Sequence, residues 1–257
     1  RSICEDFVDE IIACLGEACH IIEPGAGSSH KIRFLLDRIN PAMYVPMDIS
    51  AEHLRISAQK LAEDYPDLPI HAICVDHTKP YELPTEIPAD KRVFFYPGSS
   101  LGNFDPVDAI HFLQDLQAKA GKDGALLIGI DTKKPAEVLN LAYNDATGMT
   151  AAFNMNLLKR IQSEMDSELD TNSFTHHAFY NIEHGRIEMH LRSHGDQKVR
   201  INDSTFDFQS GESIHTENSY KYTPVEFMTL AKEAGWQSER VWQDENGYFS
   251  VHFLRVG

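Results

Sequence analysis

Three acids each close a short apolar run, and a small-residue turn follows the first. Glu23 ends His20-Ile21-Ile22, and Pro24-Gly25-Ala26-Gly27-Ser28-Ser29 comes next. Asp48 ends Met43-Tyr44-Val45-Pro46-Met47, and Asp76 follows Ile70-His71-Ala72-Ile73-Cys74-Val75. Glycine at positions 25 and 27 lets the backbone bend sharply and lie close against a ligand, because no side chain intervenes. A carboxylate about 20 residues beyond such a turn is where nucleotide-binding α/β units hold ribose hydroxyls. Asp48 supplies that acceptor pair, and Asp76 stands where it can take an adenine-type amine. Lys31, in the first turn of a helix opening near Ser28 or Ser29, can meet a carboxylate. The competing readings are a turn or helix cap for Asp76 and a solvated surface residue for Lys31. Ser29 replaces the third glycine of a G-x-G-x-G run, so the dinucleotide fingerprint is incomplete.

Two further stretches carry polar groups. Tyr96-Pro97-Gly98-Ser99-Ser100-Leu101-Gly102-Asn103-Phe104 follows a fourth apolar run. The Asn103 amide both donates and accepts, which suits a carboxylate or an amine; an ordinary loop is the alternative. In Thr216-Glu217-Asn218-Ser219-Tyr220-Lys221-Tyr222, a strand would turn Glu217 and Ser219 to one face and Asn218 to the other. A carboxylate beside a hydroxyl can clamp an N–H heterocycle, although a solvated strand face has the same pattern.

These residues need elements to hold them. Up to about residue 133, apolar runs at 20–23, 43–48, 70–75, 92–96 and 125–131 alternate with helical patterns at 30–39, 50–64 and 106–120. Asp105-Pro106 is a helix start signal. Alternation of this kind predicts an α/β fold with a parallel sheet covered on both faces, and ligands bind beyond the carboxyl ends of such strands. Glu23, Asp48, Asp76, Asn103 and Asp131 all fall there. After Asp131 come helices at 134–144 and 148–165, then consecutive strands near 175–183, 186–193, 197–201 and 205–209. The strands at 175–183 and 186–193 form a hairpin through Glu183–Arg186. This change of grammar predicts an inserted α+β subdomain over 134–213. The first domain, 1–133, resumes over 214–257 with a helix opening at Thr223-Pro224 and a closing strand hairpin.

Composition bounds the rest. The 257 residues suffice for a full core, and 42% hydrophobic with 24% charged is ordinary for a globular protein. There is no apolar run of the ~18 residues a bilayer span needs and no signal-peptide pattern. Lysine and arginine number 23 against 39 acids, a net charge of −16, which disfavours nucleic acid as a partner. Cys4, Cys14, Cys19 and Cys74 form no C-x-x-C pair, so free thiols in a reducing cytoplasm are expected. Cys74 reads as a small core residue. The 13 histidines show no H-E-x-x-H spacing, and no metal site is expected.

Glu-x-Gly-x-Gly resembles the first motif of S-adenosylmethionine-dependent methyltransferases. The runs Tyr44–Ser50, Gly102-Asn103, Tyr143-Asn144-Asp145, Gly148–Asn154, Arg186–Met189 and Ile214–Ser219 together resemble the histidine-specific N-alpha-methyltransferases, which make histidine betaine in ergothioneine biosynthesis. The resemblance runs from about residue 10 to the C-terminus. It implies a class I, Rossmann-like seven-stranded sheet with an inserted substrate-binding subdomain, and S-adenosylmethionine held by Glu23, Gly25, Gly27, Lys31, Asp48 and Asp76. It implies that Asn103 and Tyr143 hold the carboxylate and amine end of L-histidine, that Met189 lines the pocket, and that Glu217 and Ser219 read the imidazole. No metal enters, and a monomer away from membranes and nucleic acid is expected. Family members carry several dozen residues ahead of the position of Arg1, so the chain reads as lacking that segment. Fungal enzymes acting on a tryptophan derivative are similar to the same family. A related substrate therefore stays open, as do a non-catalytic cofactor-binding fragment and a nicotinamide-dependent dehydrogenase.

Overall fold

The computed structural model describes residues 3–257, in two compact units. One comprises the chain up to Leu101, Pro106–Thr132 and Tyr222–Gly257; the other comprises Gly102–Asp105 and Lys133–Lys221.

The first unit is a seven-stranded sheet in the order β11-β12-β5-β4-β1-β2-β3. Its strands are β1 (His20–Pro24), β2 (Met43–Asp48), β3 (Ile73–Cys74), β4 (Arg92–Tyr96), β5 (Ala125–Asp131), β11 (Trp236–Gln243) and β12 (Phe249–Val256). Strands β1 to β5 run parallel, while β12 is antiparallel to both β5 and β11. Parallel strands share one carboxyl edge, so Glu23, Asp48 and Asp131 come out on it together. The runs are apolar because both faces are covered: Ile21, Ile22, Val45, Phe94, Phe95, Leu126 and Phe253 are all buried. Helices α1 (Ile3–Asp6), α2 (Val8–Leu15), α3 (Arg33–Leu36), α4 (Ala51–Asp64), α5 (Pro106–Ala120) and α8 (Pro224–Glu233) complete the unit. Helix α8 opens with a capping box, Thr223 and Glu226 each bonding the other's backbone. Among the described residues no helix is long and apolar enough to cross a membrane.

Three expectations need correction. The helix expected over 30–39 is one turn, Arg33–Leu36, flanked by turns. Strand β3 is a two-residue edge strand, so Cys74 is exposed rather than in the core. The return to the first unit falls at Tyr222, not at 214, because the strand over 213–220 pairs with the second unit's sheet.

That second unit holds a three-stranded antiparallel sheet in the order β10-β7-β6, a two-stranded β8-β9 ribbon, and two helices. The strands are β6 (Phe174–Asn181), β7 (Arg186–Ser193), β8 (Gln197–Ile201), β9 (Ser204–Phe208) and β10 (Ser213–Tyr220); the helices are α6 (Ala136–Tyr143) and α7 (Met149–Glu164). One face of the sheet packs Ala178, Ile187 and Met189 against Leu139 and Tyr143 of α6.

A buried histidine gives the first unit a pH dependence. His252 is fully buried on β12, with Ser250 Oγ 2.9 Å from its Nε2 and the Phe227 ring edge-on. Burial pushes its pKa down from 6.5 to about 4. The unfolded chain therefore takes up this proton first, and the contribution is intact above about 6.5 and lost as pH falls toward 4. His252→Gln should flatten the acid limb of stability by about 3 kcal/mol at most. Melting curves between those pH values check this, and parallel limbs for both proteins would exclude it.

Candidate functional site

In the first unit, the turn after β1 is built around left-handed backbone. Gly25 has φ 68° and Gly27 φ 54°, conformations that side-chain-bearing residues avoid. Asp48 braces this turn from β2: its Oδ2 accepts from Gly27 N at 3.0 Å and its Oδ1 from Ser50 N at 2.9 Å. Beneath the turn Glu23 is buried, and Tyr44 Oη donates to its Oε2 at 2.5 Å while lying 3.3 Å from Ser29 Oγ. Burial pushes the Glu23 carboxyl up to about 7, and the Tyr44 hydrogen bond opposes that. A cavity of about 240 Å³ opens at the turn, lined by Glu23, Gly25, Gly27, Lys31, Tyr96 and Gly98 among others. A Cβ on Gly98 would stand 3.1 Å from Lys31 Nζ, so glycine there lets the ammonium reach over the loop.

Asp76 is placed differently. It lies two residues beyond β3, where Thr78 N and Oγ1 donate to it at 3.1 and 2.6 Å and Lys79 pairs with it at 3.0 Å. The Thr78 hydroxyl leads in holding its carboxyl down at about 2. The turn-cap geometry read as the alternative is present, and the carboxylate remains charged at any ordinary pH.

In the second unit, β10 carries the other candidates. Its pairing with β7 shifts between His215 and Glu217, a bulge that leaves Thr216 unpaired. Thr216 Oγ1 is fastened to Asn154 Oδ1 at 2.7 Å and Met189 O at 2.9 Å. Past the bulge, Glu217 lies opposite Met189 and Ser219 opposite Ile187, so both share the face that holds Met189 and Tyr143. The Tyr143 end of α6 is anchored three ways. Asn144 Nδ2 donates to Ala178 O at 2.9 Å, His176 Nε2 donates to Tyr143 O at 2.9 Å, and Asp145 accepts from the Met149 and Thr150 amides that open α7. Tyr143 Oη then meets Ser219 Oγ at 3.0 Å. Gly102, just before Asn103, lies against β10 so tightly that a Cβ would fall 2.6 Å from Tyr220 O.

The structure thus brings Gly25, Gly27, Lys31 and Glu23 around one cavity with Asp48 bracing it, and groups Tyr143, Met189, Glu217 and Ser219 on one sheet face. Sequence reasoning missed Lys221. It is buried, and its Nζ donates to Ser219 Oγ at 2.8 Å and Tyr143 Oη at 2.9 Å. The two-residue period that linked Glu217 to Ser219 points to it. Burial pushes the Glu217 carboxyl up, and the nearby Lys221 charge opposes the shift. On the opposite face, Glu188, His190 and His215 have donor atoms within 4.8 Å of one another. That carboxylate already holds Arg186 at 2.7 Å, which supplies its balancing charge.

The fold resembles solved S-adenosylmethionine-dependent methyltransferases. A Clostridium acetobutylicum enzyme of that class aligns over 99% of this chain and 91% of its own, with TM-score 0.57 and 10% identity. The CcbJ methyltransferase of Streptomyces caelestis aligns over 100% and 97%, with TM-score 0.58 and 13% identity. The architecture is that of an S-adenosylmethionine-dependent methyltransferase. The family model for histidine-specific, SAM-dependent methyltransferases matches residues 1–256. Histidine N-alpha-methyltransferase of Mycobacterium tuberculosis is 36% identical over 93% of this chain and 76% of its own length. Ergothioneine biosynthesis protein 1 of Schizosaccharomyces pombe is 25% identical over 91% of this chain and 32% of its own. An L-tryptophan methyltransferase of Psilocybe serbica is 26% identical over 68% of this chain and 49% of its own. The chain belongs to the histidine-specific, S-adenosylmethionine-dependent methyltransferase family. Its cofactor is S-adenosylmethionine and its substrate is a small molecule of the amino-acid class.

Proposed function

We propose that this enzyme methylates the α-nitrogen of L-histidine to give histidine betaine, the step the mycobacterial relatives' names describe. The observation that carries the reading is the shared face of β10 and α6. Tyr143 and Ser219 are in contact there, with Glu217 and Met189 beside them. S-adenosylmethionine, when bound, supplies an electrophilic methyl group. The first unit is suited to hold it: positive-φ glycines leave room for close approach, Lys31 can pair with its carboxylate, and Asp48 offers acceptors for a ribose diol. Asp76 is assigned the adenine end.

In the second unit, Tyr143 and Asn103 orient the amine end. The amine must lose a proton to expose its lone pair, and a free α-amine with a pKa of about 8 to 9 does so without a strong base. Positioning is then the main contribution, the nitrogen being held about 3 Å from the methyl carbon. Glu217 accepts from one ring N–H while Ser219 serves the other nitrogen. The acidic surface, net −16, supports a small-molecule partner over nucleic acid.

The tryptophan-methylating relative makes the ring the discriminating feature. Wild type should prefer histidine over tryptophan by at least about 100-fold, because an indole would strand one polar group. Glu217→Asn combined with Ser219→Thr should narrow or reverse that preference with cofactor affinity nearly unchanged. Mass spectrometry of both amino acids in competition measures it. The same preference in wild type and double variant would mean that these residues do not read the ring.

A further inference from the structure

The hydrogens of the Tyr143–Ser219–Lys221 triangle can be counted. Ser219 Oγ accepts from Lys221 Nζ at 2.8 Å and from Tyr143 Oη at 3.0 Å, and Lys221 Nζ also donates to Tyr143 Oη at 2.9 Å. A serine hydroxyl has two acceptor sites and one hydrogen, and an ammonium group can only donate. Both acceptor sites of Ser219 are therefore filled, and its hydrogen has to point out of the triangle. Two residues back on the same strand face, Glu217 offers an acceptor for a ring N–H. An ammonium is costly to bury, yet Lys221 is only 2% exposed, and its Nζ lies within hydrogen-bond distance of both hydroxyls.

We propose that Lys221 is a specificity-determining positioning residue that makes the Ser219 hydroxyl an obligate donor. The pocket then selects a heterocycle with one N–H, turned to Glu217, and one lone-pair nitrogen, turned to Ser219. This deepens the proposed function and rests on its reading that Glu217 and Ser219 meet the ring. A neutral imidazole satisfies both groups in a single tautomer. A pyrrole or an indole has no acceptor nitrogen and strands the Ser219 hydrogen. An imidazolium brings a second N–H against a donor. Lys221 thus sets the polarity of the site without touching the reacting nitrogen.

The test uses calorimetry on the full chain with S-adenosylhomocysteine present. The ligands are L-histidine and the two pyrrolylalanines (pyrrol-2-yl and pyrrol-3-yl), each of which keeps one N–H and no acceptor nitrogen. Wild type should bind histidine roughly 10- to 100-fold more tightly than either analogue, the scale for stranding one buried donor. In Lys221→Met, Ser219 regains an acceptor site and can turn its hydrogen toward Tyr143, so the ratio should fall below about threefold. A purely structural role would weaken all three ligands together and leave the ratio unchanged, which overturns the proposal while sparing the ring reading. A wild type without preference removes both. Should Lys221→Met fail to fold, Tyr143→Phe withdraws the other donor from Ser219 and should lower the ratio in the same way. An unchanged ratio there overturns the proposal equally.

Discussion

An Asp48→Ala variant is expected to bind S-adenosylmethionine about 10- to 100-fold more weakly, equivalent to roughly 1.5–3 kcal/mol for charge-assisted hydrogen bonds. The carboxylate does two things at once. It accepts from Gly27 N and Ser50 N, so it fixes the glycine turn that shapes the cavity, and in the proposed function its remaining lone pairs take the ribose. Loss of the side chain removes the ribose contact and lets a turn held in left-handed backbone relax. Calorimetry with the cofactor, beside a melting curve, separates these losses from unfolding. Asp48→Asn keeps one acceptor oxygen and should fall between the two. Full affinity in a folded Asp48→Ala protein would place the ribose elsewhere.

Replacing Gly102 with alanine should cost more than its size suggests. The added Cβ would sit 2.6 Å from the Tyr220 carbonyl and 3.3 Å from its amide, both backbone atoms of the strand that carries Glu217 and Ser219. Backbone cannot swing aside as a side-chain tip can, so the strip bearing Asn103 has to withdraw from β10. Overpacking of this kind costs about 1–3 kcal/mol. The expected signature is a rise in KM for histidine of roughly tenfold or more, since about 1.4 kcal/mol corresponds to a factor of ten, with S-adenosylmethionine affinity nearly unchanged. Steady-state kinetics varying each substrate in turn reads this out. Equal losses for both would show that Gly102 serves general stability.

Much of the framework was legible from local pattern. The apolar runs at 20–23, 43–48, 92–96 and 125–131 became β1, β2, β4 and β5, because a strand buried on both faces has to be apolar along its whole length. The glycine turn was legible because left-handed backbone leaves few alternatives to glycine. What failed depended on distant partners. Residues 213–220 alternate as any strand does, and nothing local says that they pair with β7 rather than with the seven-stranded sheet. Cys74 sits in an apolar run, yet only Ile73 and Cys74 pair, at the sheet's edge, so the run alone overstated its burial. The helix expected over 30–39 shrank to Arg33–Leu36 because Ser29 adopts φ 52° and turns flank it on both sides. Lys221 escaped notice because a charged residue in an alternating strand ordinarily marks the solvent side, whereas here its Nζ turns inward to the Ser219 hydroxyl of β10 and the Tyr143 hydroxyl of α6.

The strip Gly102–Asp105 belongs to the second unit although the chain on both sides of it belongs to the first. On a ribosome it emerges early, well before most of the strands it joins. Its Asp105 accepts from the Tyr220 hydroxyl at 2.9 Å across 115 residues of sequence. Closing so long a loop is entropically unfavourable and gains nothing until both ends are in place. Asn103, proposed to hold the amine, therefore gains its anchored position only once β10 has been made, and a piece cut at 133–221 would lack it altogether.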